Sequence, residues 1–217
     1  MSNYCLLIAV IIVLIIGAVK GYTRGFLRLA VWFAGLIAVL FIVTKLSPYV
    51  SNFLIDNTKL NEKLREEIVT AYEQNGNEDI DSFGFPELIA NSLKTNNTSE
   101  IYEKLAVTLF RDYIAGYLST LSIKAGTFVG LFIILAVAQF VLILAIKILE
   151  KIPVLRTFNR LLGMATGITL SLVFIWVFFL AVMMFFGRSF GTWVFAQVGH
   201  SRFLSFLFNN NILFELL

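Results

Sequence analysis

The chain has 217 residues, 59% of them apolar and 14% charged, with a formal net charge of +3 and a mean hydropathy of +0.85. That composition excludes an ordinary soluble domain and implies an integral membrane protein. The positive charge does not imply nucleic acid: the basic residues stand beside apolar runs, where a lipid bilayer and its anionic headgroups are the expected partner.

Tyr4 to Val19 is an uninterrupted apolar run, about 24 Å long as a helix and slightly short of a bilayer core. Snorkelling of Lys20 and the interfacial rings of Tyr4 and Tyr22 make up the difference. No positive charge precedes the run and all of it follows, the reverse of a secretory signal, so a retained first span with its N-terminus outside is expected. Cys5, the single cysteine, can form no internal disulfide.

The segment from Gly17 to Arg28 joins this run to the next. Lys20, Arg24 and Arg28 recur every four residues, and so do Gly17, Gly21 and Gly25 on an adjoining face. A cationic short connection between spans is retained on the cytoplasmic side. The glycine face lets a second backbone come close, which is how helices associate in lipid once hydrophobic burial no longer drives them.

Leu29 to Val43 is the second apolar run, and Pro48 is expected to end it by removing a backbone donor and restricting Ser47. From there to Lys124 the chain reads as a hydrophilic insertion in which acids outnumber bases, consistent with the outer side. Leu60, Leu64, Ile68 and Tyr72 predict an amphipathic helix from about Thr58 to Gln74. Asn75-Gly76-Asn77 breaks it. Pro86 opens a short helix through about Lys94, and Ser99 caps a longer one in which Ile101, Leu105 and Leu109 share a face.

The third span is expected over Ala125–Ile146, with Gly126 and Gly130 four apart and Gln139 its only strongly polar residue. Lys147, Lys151, Arg156 and Arg160 follow against a single acid, Glu150, and make the second basic connection. Leu161 to Phe186 forms the fourth span, opened by Gly163 and Gly167 with Ser171 one turn along. The aromatic tail that follows is too short and interrupted to span as one helix, so an interfacial helix or hairpin is expected. The organisation is thus a first hairpin (1–46), a helical insertion (47–124), a second hairpin (125–187) and a tail (188–217).

Gly17-x-x-x-Gly21 leading into Arg24-Gly25-Phe26-x-Arg28, followed later by Asn159-Arg160-Leu161-Leu162-Gly163-x-x-x-Gly167, resembles the bacterial colicin V production protein (CvpA) family. The resemblance implies a part in colicin V type toxin production or export and in envelope upkeep, as a non-enzymatic assembly or accessory factor.

Chemical sites find little support. Asn77, Asp79 and Asp81 imitate the start of a calcium loop, but Ser82 stands where glycine is needed and Leu88 where a bidentate glutamate belongs. The only histidine, His200, lies beyond the fourth span. Asn96 and Asn97 meet a glycosylation pattern that is incidental in a bacterial chain. No catalytic, cofactor-binding or metal residue is assigned. Coupled transport usually places ionisable residues within spans, and the second, third and fourth apolar runs contain none.

The expectation is an all-α polytopic membrane protein with four transmembrane helices and an extracytoplasmic helical insertion. It sits in the bacterial cytoplasmic membrane with both termini outside and a homo-oligomer or an envelope protein as partner. The alternative is an oligomeric pore or transport component. The glycines beside both basic turns suggest that the start of the fourth span packs on the end of the first, gathering Arg24 and Arg160 into one basic patch.

Overall fold

The computed structural model describes residues 4–75, 84–145 and 156–217, the side chains of 27, 28, 74, 75, 143–145, 156 and 157 excepted. All regular structure among these residues is helical. Four helices are long and apolar enough to cross a membrane. They are α1 (Cys5–Arg24), α2 (Phe26–Asn57), α6 (Phe110–Ala145) and α7 (Arg156–Val182).

The smaller helices are α3 (Leu60–Asn75), α4 (Glu87–Thr95), α5 (Ser99–Lys104), α8 (Ser189–His200) and α9 (Arg202–Asn209), with two 3-10 turns at Met183–Phe185 and Ile212–Leu216. Most side chains of α1 face outward, Ile8, Ile12 and Ile15 among them. With a bilayer as solvent that exposure is a requirement, because lipid is as apolar as they are.

Neighbours in sequence are not the chief neighbours in space. α1 packs mainly on α7, while α2 lies against α6 and α7. The long helices therefore run in the order α1, α7, α2, α6, and each hairpin is held together through a helix of the other.

Two expected boundaries move. Pro48 does not end the second span but sits inside α2, which continues to Asn57. The proline removes only the helical donor to Thr44 O; on either side of that position the Thr44 hydroxyl donates to Leu40 O at 2.8 Å and that of Ser51 to Pro48 O at 3.1 Å. At the other side of the insertion, α6 starts at Phe110 and crosses the boundary drawn at 124. The third span and residues 110–124 of the insertion are one rod.

The helix expected from Ser99 onward is shorter. Its N-cap is Thr98, whose hydroxyl accepts from Ile101 N, and it closes at Ala106, a non-glycine residue at φ 53°. Val107 N donates back to Tyr102 O at 3.0 Å. The break lets α5 fold onto α6, stacking Tyr102 on Tyr113 with centroids 5.0 Å apart.

The tail packs on the bundle. α8 and α9 form a hairpin with each other, and α8 also packs on the turn that ends α7. They bury Val194, Phe195, Val198, Leu204, Leu207 and Phe208. Trp176 of α7 donates its indole N–H to Leu207 O at 3.0 Å, and Asn211 Nδ2 donates to Trp176 O at 3.2 Å. α4 has no side-chain cap of its own, since Pro86 precedes it. Asn209 of α9 supplies one, its Oδ1 accepting from Leu88 N at 3.1 Å while its Nδ2 donates to Glu87 at 3.2 Å.

Candidate functional site

The first connection is a single residue. α1 ends at Arg24 and α2 begins at Phe26, so Gly25 alone reverses the chain at φ 77° and ψ 159°. That backbone conformation suits only glycine. Gly25 N donates to Gly21 O at 2.9 Å, closing the end of α1.

α1 and α7 run antiparallel, and their glycines face one another across the seam. A β-carbon built on Gly21 would collide with the carbonyl oxygen of Gly163, and one built on Gly167 with the carbonyl oxygen of Gly17. From Gly163 the same atom would meet Gly21 O and then Gly25 Cα at 2.8 Å. Gly17 is closed by the Ser171 hydroxyl and by Gly167 O at 2.6 Å. Apart from the Ser171 side chain these contacts are backbone to backbone, so side-chain rearrangement alone could not make room for added bulk.

The basic end of the seam continues the same register. The Asn159 side chain lies where a β-carbon of Gly25 would be. Arg160 stands over the ring of Tyr22, 5.5 Å from its centroid, a cation–π distance. Lys20 and Arg24, on the last two turns of α1, are exposed. The side chains of Arg28 and Arg156, and Lys147 and Lys151 altogether, lie outside the described residues.

The other small pair is different in kind. A β-carbon on Gly126 would meet only the flexible end of Met184, at 2.9 Å, and one on Gly130 would meet nothing within 4 Å. Of the glycines singled out by spacing, then, those on α1 and α7 touch one another across the seam, while a β-carbon on Gly130 would point into open space among the described residues.

A second close approach was not visible in the glycine pattern. Gln139 of α6 donates to Trp32 O of α2 at 3.1 Å, and Gly35 leaves the room, since its β-carbon would overlap the Gln139 amide. Trp32 and Phe140 flank the contact with centroids 5.5 Å apart. Gln139 was legible as the polar exception in its span, but its partner is a main-chain carbonyl that any residue carries.

Among the described residues no group of three His, Cys, Asp or Glu side chains could hold a metal ion. Asn77, Asp79, Asp81 and Ser82 lie outside them, and Leu88 serves as a backbone donor to Asn209. His200 is exposed at the end of α8. The arrangement is one for close helix packing.

No curated protein and no solved structure matches the chain. Residues 7–72 match the family model described as Colicin V production protein, a stretch that holds most of α1, all of α2 and most of α3 and leaves the second basic turn outside it. Over those residues this multi-pass membrane protein is similar to the colicin V production protein family.

Proposed function

We propose that the protein is a non-enzymatic accessory or assembly factor of the colicin V production type, acting in toxin production or export and in envelope upkeep. It resides in the bacterial cytoplasmic membrane, with both basic turns inside and the helical insertion, the tail and both termini outside. The observation that carries the reading is the match of residues 7–72 to that family, together with the tight α1–α7 seam that joins the matched stretch to the second hairpin.

Support for a scaffold over a transporter comes from the spans. Gln139 is committed to the Trp32 carbonyl, and coupled transport needs ionisable groups at depth. An exposed cationic turn beside a rigid seam is suited to holding a partner or anionic lipid at the inner leaflet.

Crosslinking in native membranes followed by purification of the full chain tests this. A defined stoichiometric envelope partner is the expected result. A pure homo-oligomer that conducts ions in liposomes would overturn it in favour of a pore.

A further inference from the structure

At the end of the bundle away from the basic turns, α3, α6 and α8 leave a cleft of about 560 Å³ between them. That is within the size range of small-molecule sites. Ile68 and Ala71 of α3, Ile114 and Leu118 of α6, and Trp193 and Ala196 of α8 form its walls, and no charged side chain is among its lining. Thr192, which also lines it, already donates its hydroxyl to Arg188 O at 3.2 Å. Tyr72, Phe85 and Ser189 complete the lining with Gly187, so its polar side-chain groups are a few hydroxyls and the Trp193 indole N–H among mostly apolar walls. A sugar, a nucleotide or a charged peptide would bury more polar groups than these could pair. The walls suit an alkyl chain.

The mouth adds a second feature. Gly187 and Ser189 both line the cleft and bracket Arg188, whose side chain is half-exposed. Its guanidinium donates from Nε and Nη2 to the two oxygens of Glu67, each at 3.0 Å, which uses two of the five N–H donors that arginine carries. The cleft opens directly after the apolar stretch that ends at Phe185. Phe190 is exposed there and stacks with Trp193 at 6.4 Å, the aromatic pairing expected where a helix leaves lipid. The amphiphile most concentrated at that level is the bilayer itself.

We infer that the cleft takes the alkyl chain of a membrane amphiphile whose acidic head, a phosphate or a carboxylate, is held at Arg188. The inference does not depend on the proposed cellular role. Full-length protein in nanodiscs is exposed to two diazirine-tagged probes, a long-chain fatty acid and a phosphatidylglycerol, then irradiated, digested and mapped by mass spectrometry.

Adducts are expected on residues 68–72 and 189–196 as well as on the lipid-facing side of α1. Cleft labelling by the fatty acid alone identifies a free carboxylate as the head, and labelling by phosphatidylglycerol a phospholipid. Ala196→Trp and Ala71→Trp, which fill the cleft, should lower cleft adducts at least about fivefold and leave those on α1 unchanged. Arg188→Gln should lower them about threefold. Excess unlabelled amphiphile should compete at the cleft only, which keeps the test decisive if the filled variants do not fold. Adducts confined to α1 and the other lipid-facing surfaces with both probes, or cleft adducts that neither filling nor competition reduces, would overturn the inference.

Discussion

Gly21 and Gly163 set the tolerance of the seam, because each sits with its α-carbon against the other's main chain. Gly21→Leu or Gly163→Leu should therefore push α1 from α7 and cost about 1–3 kcal/mol or more, read as a lower melting temperature in detergent and a lower membrane level. Gly130→Leu is the matched control. Its β-carbon meets nothing within 4 Å, so the same added volume in another span should leave both measurements near those of the parent. If Gly130→Leu destabilised as much as Gly21→Leu, general helix effects and not the seam would be the cause. Arg24→Lys keeps the charge and should fold as the parent does. Gly25 is a separate case: its φ of 77° makes any side chain strained there even without the contact to Asn159.

At the scale of the element, contacts from distant parts of the chain complete what local sequence leaves open. α4 starts after a proline and has no cap of its own, and Asn209 reaches it from α9. Asn209→Ala should cost about 1 kcal/mol, the usual worth of an N-cap, and hydrogen exchange should rise first in residues 87–95. Pro48 offers a prediction of opposite sign. It lies within α2, so Pro48→Ala restores an N–H where the Thr44 carbonyl lacks a helical donor and should raise thermal stability, by up to about 3 kcal/mol. If α2 really stopped at Pro48, the same change would be neutral. Gln139→Leu removes the contact between α6 and α2. A loss of about 0.6 kcal/mol is expected, since interhelical hydrogen bonds in lipid are weak on average.

For the whole molecule the prediction concerns orientation. Basic residues crowd both short turns, and the positive-inside tendency places such turns in the cytoplasm. In a Cys5→Ser background, a cysteine at Thr23 should resist an impermeant thiol reagent in intact cells while one at exposed Asn97 should react. Reaction at Thr23 with protection at Asn97 would invert the assignment. The arrangement of α1, α7, α2 and α6 also predicts that the two hairpins do not fold as independent units. Expressed separately, each should be degraded or mis-packed, and co-expression should restore a stable complex through the seam.

Four apolar runs, the cationic turns beside Gly17–Gly25 and Gly163–Gly167, the helix over the Leu60–Tyr72 repeat and the helix opened by Pro86 were all legible in the sequence. Each is a local pattern: hydrophobic length, charge clustering, 3.6-residue periodicity and a conformationally restricted residue act within a few turns of helix. The glycines beside both turns already pointed to α1 on α7, and the two helices do pack so. The passage of α2 through Pro48 and of α6 across residue 124, the break at Ala106 and the burial of the aromatic tail were decided only in three dimensions. There the competing local signals are weak, about 1–3 kcal/mol each. The four-residue spacing of glycines named surfaces able to approach closely, yet spacing alone did not distinguish Gly163, whose β-carbon would meet a backbone, from Gly130, whose β-carbon would meet nothing within 4 Å. That difference lies in which helix stands opposite, and only the packing of the whole chain determines it.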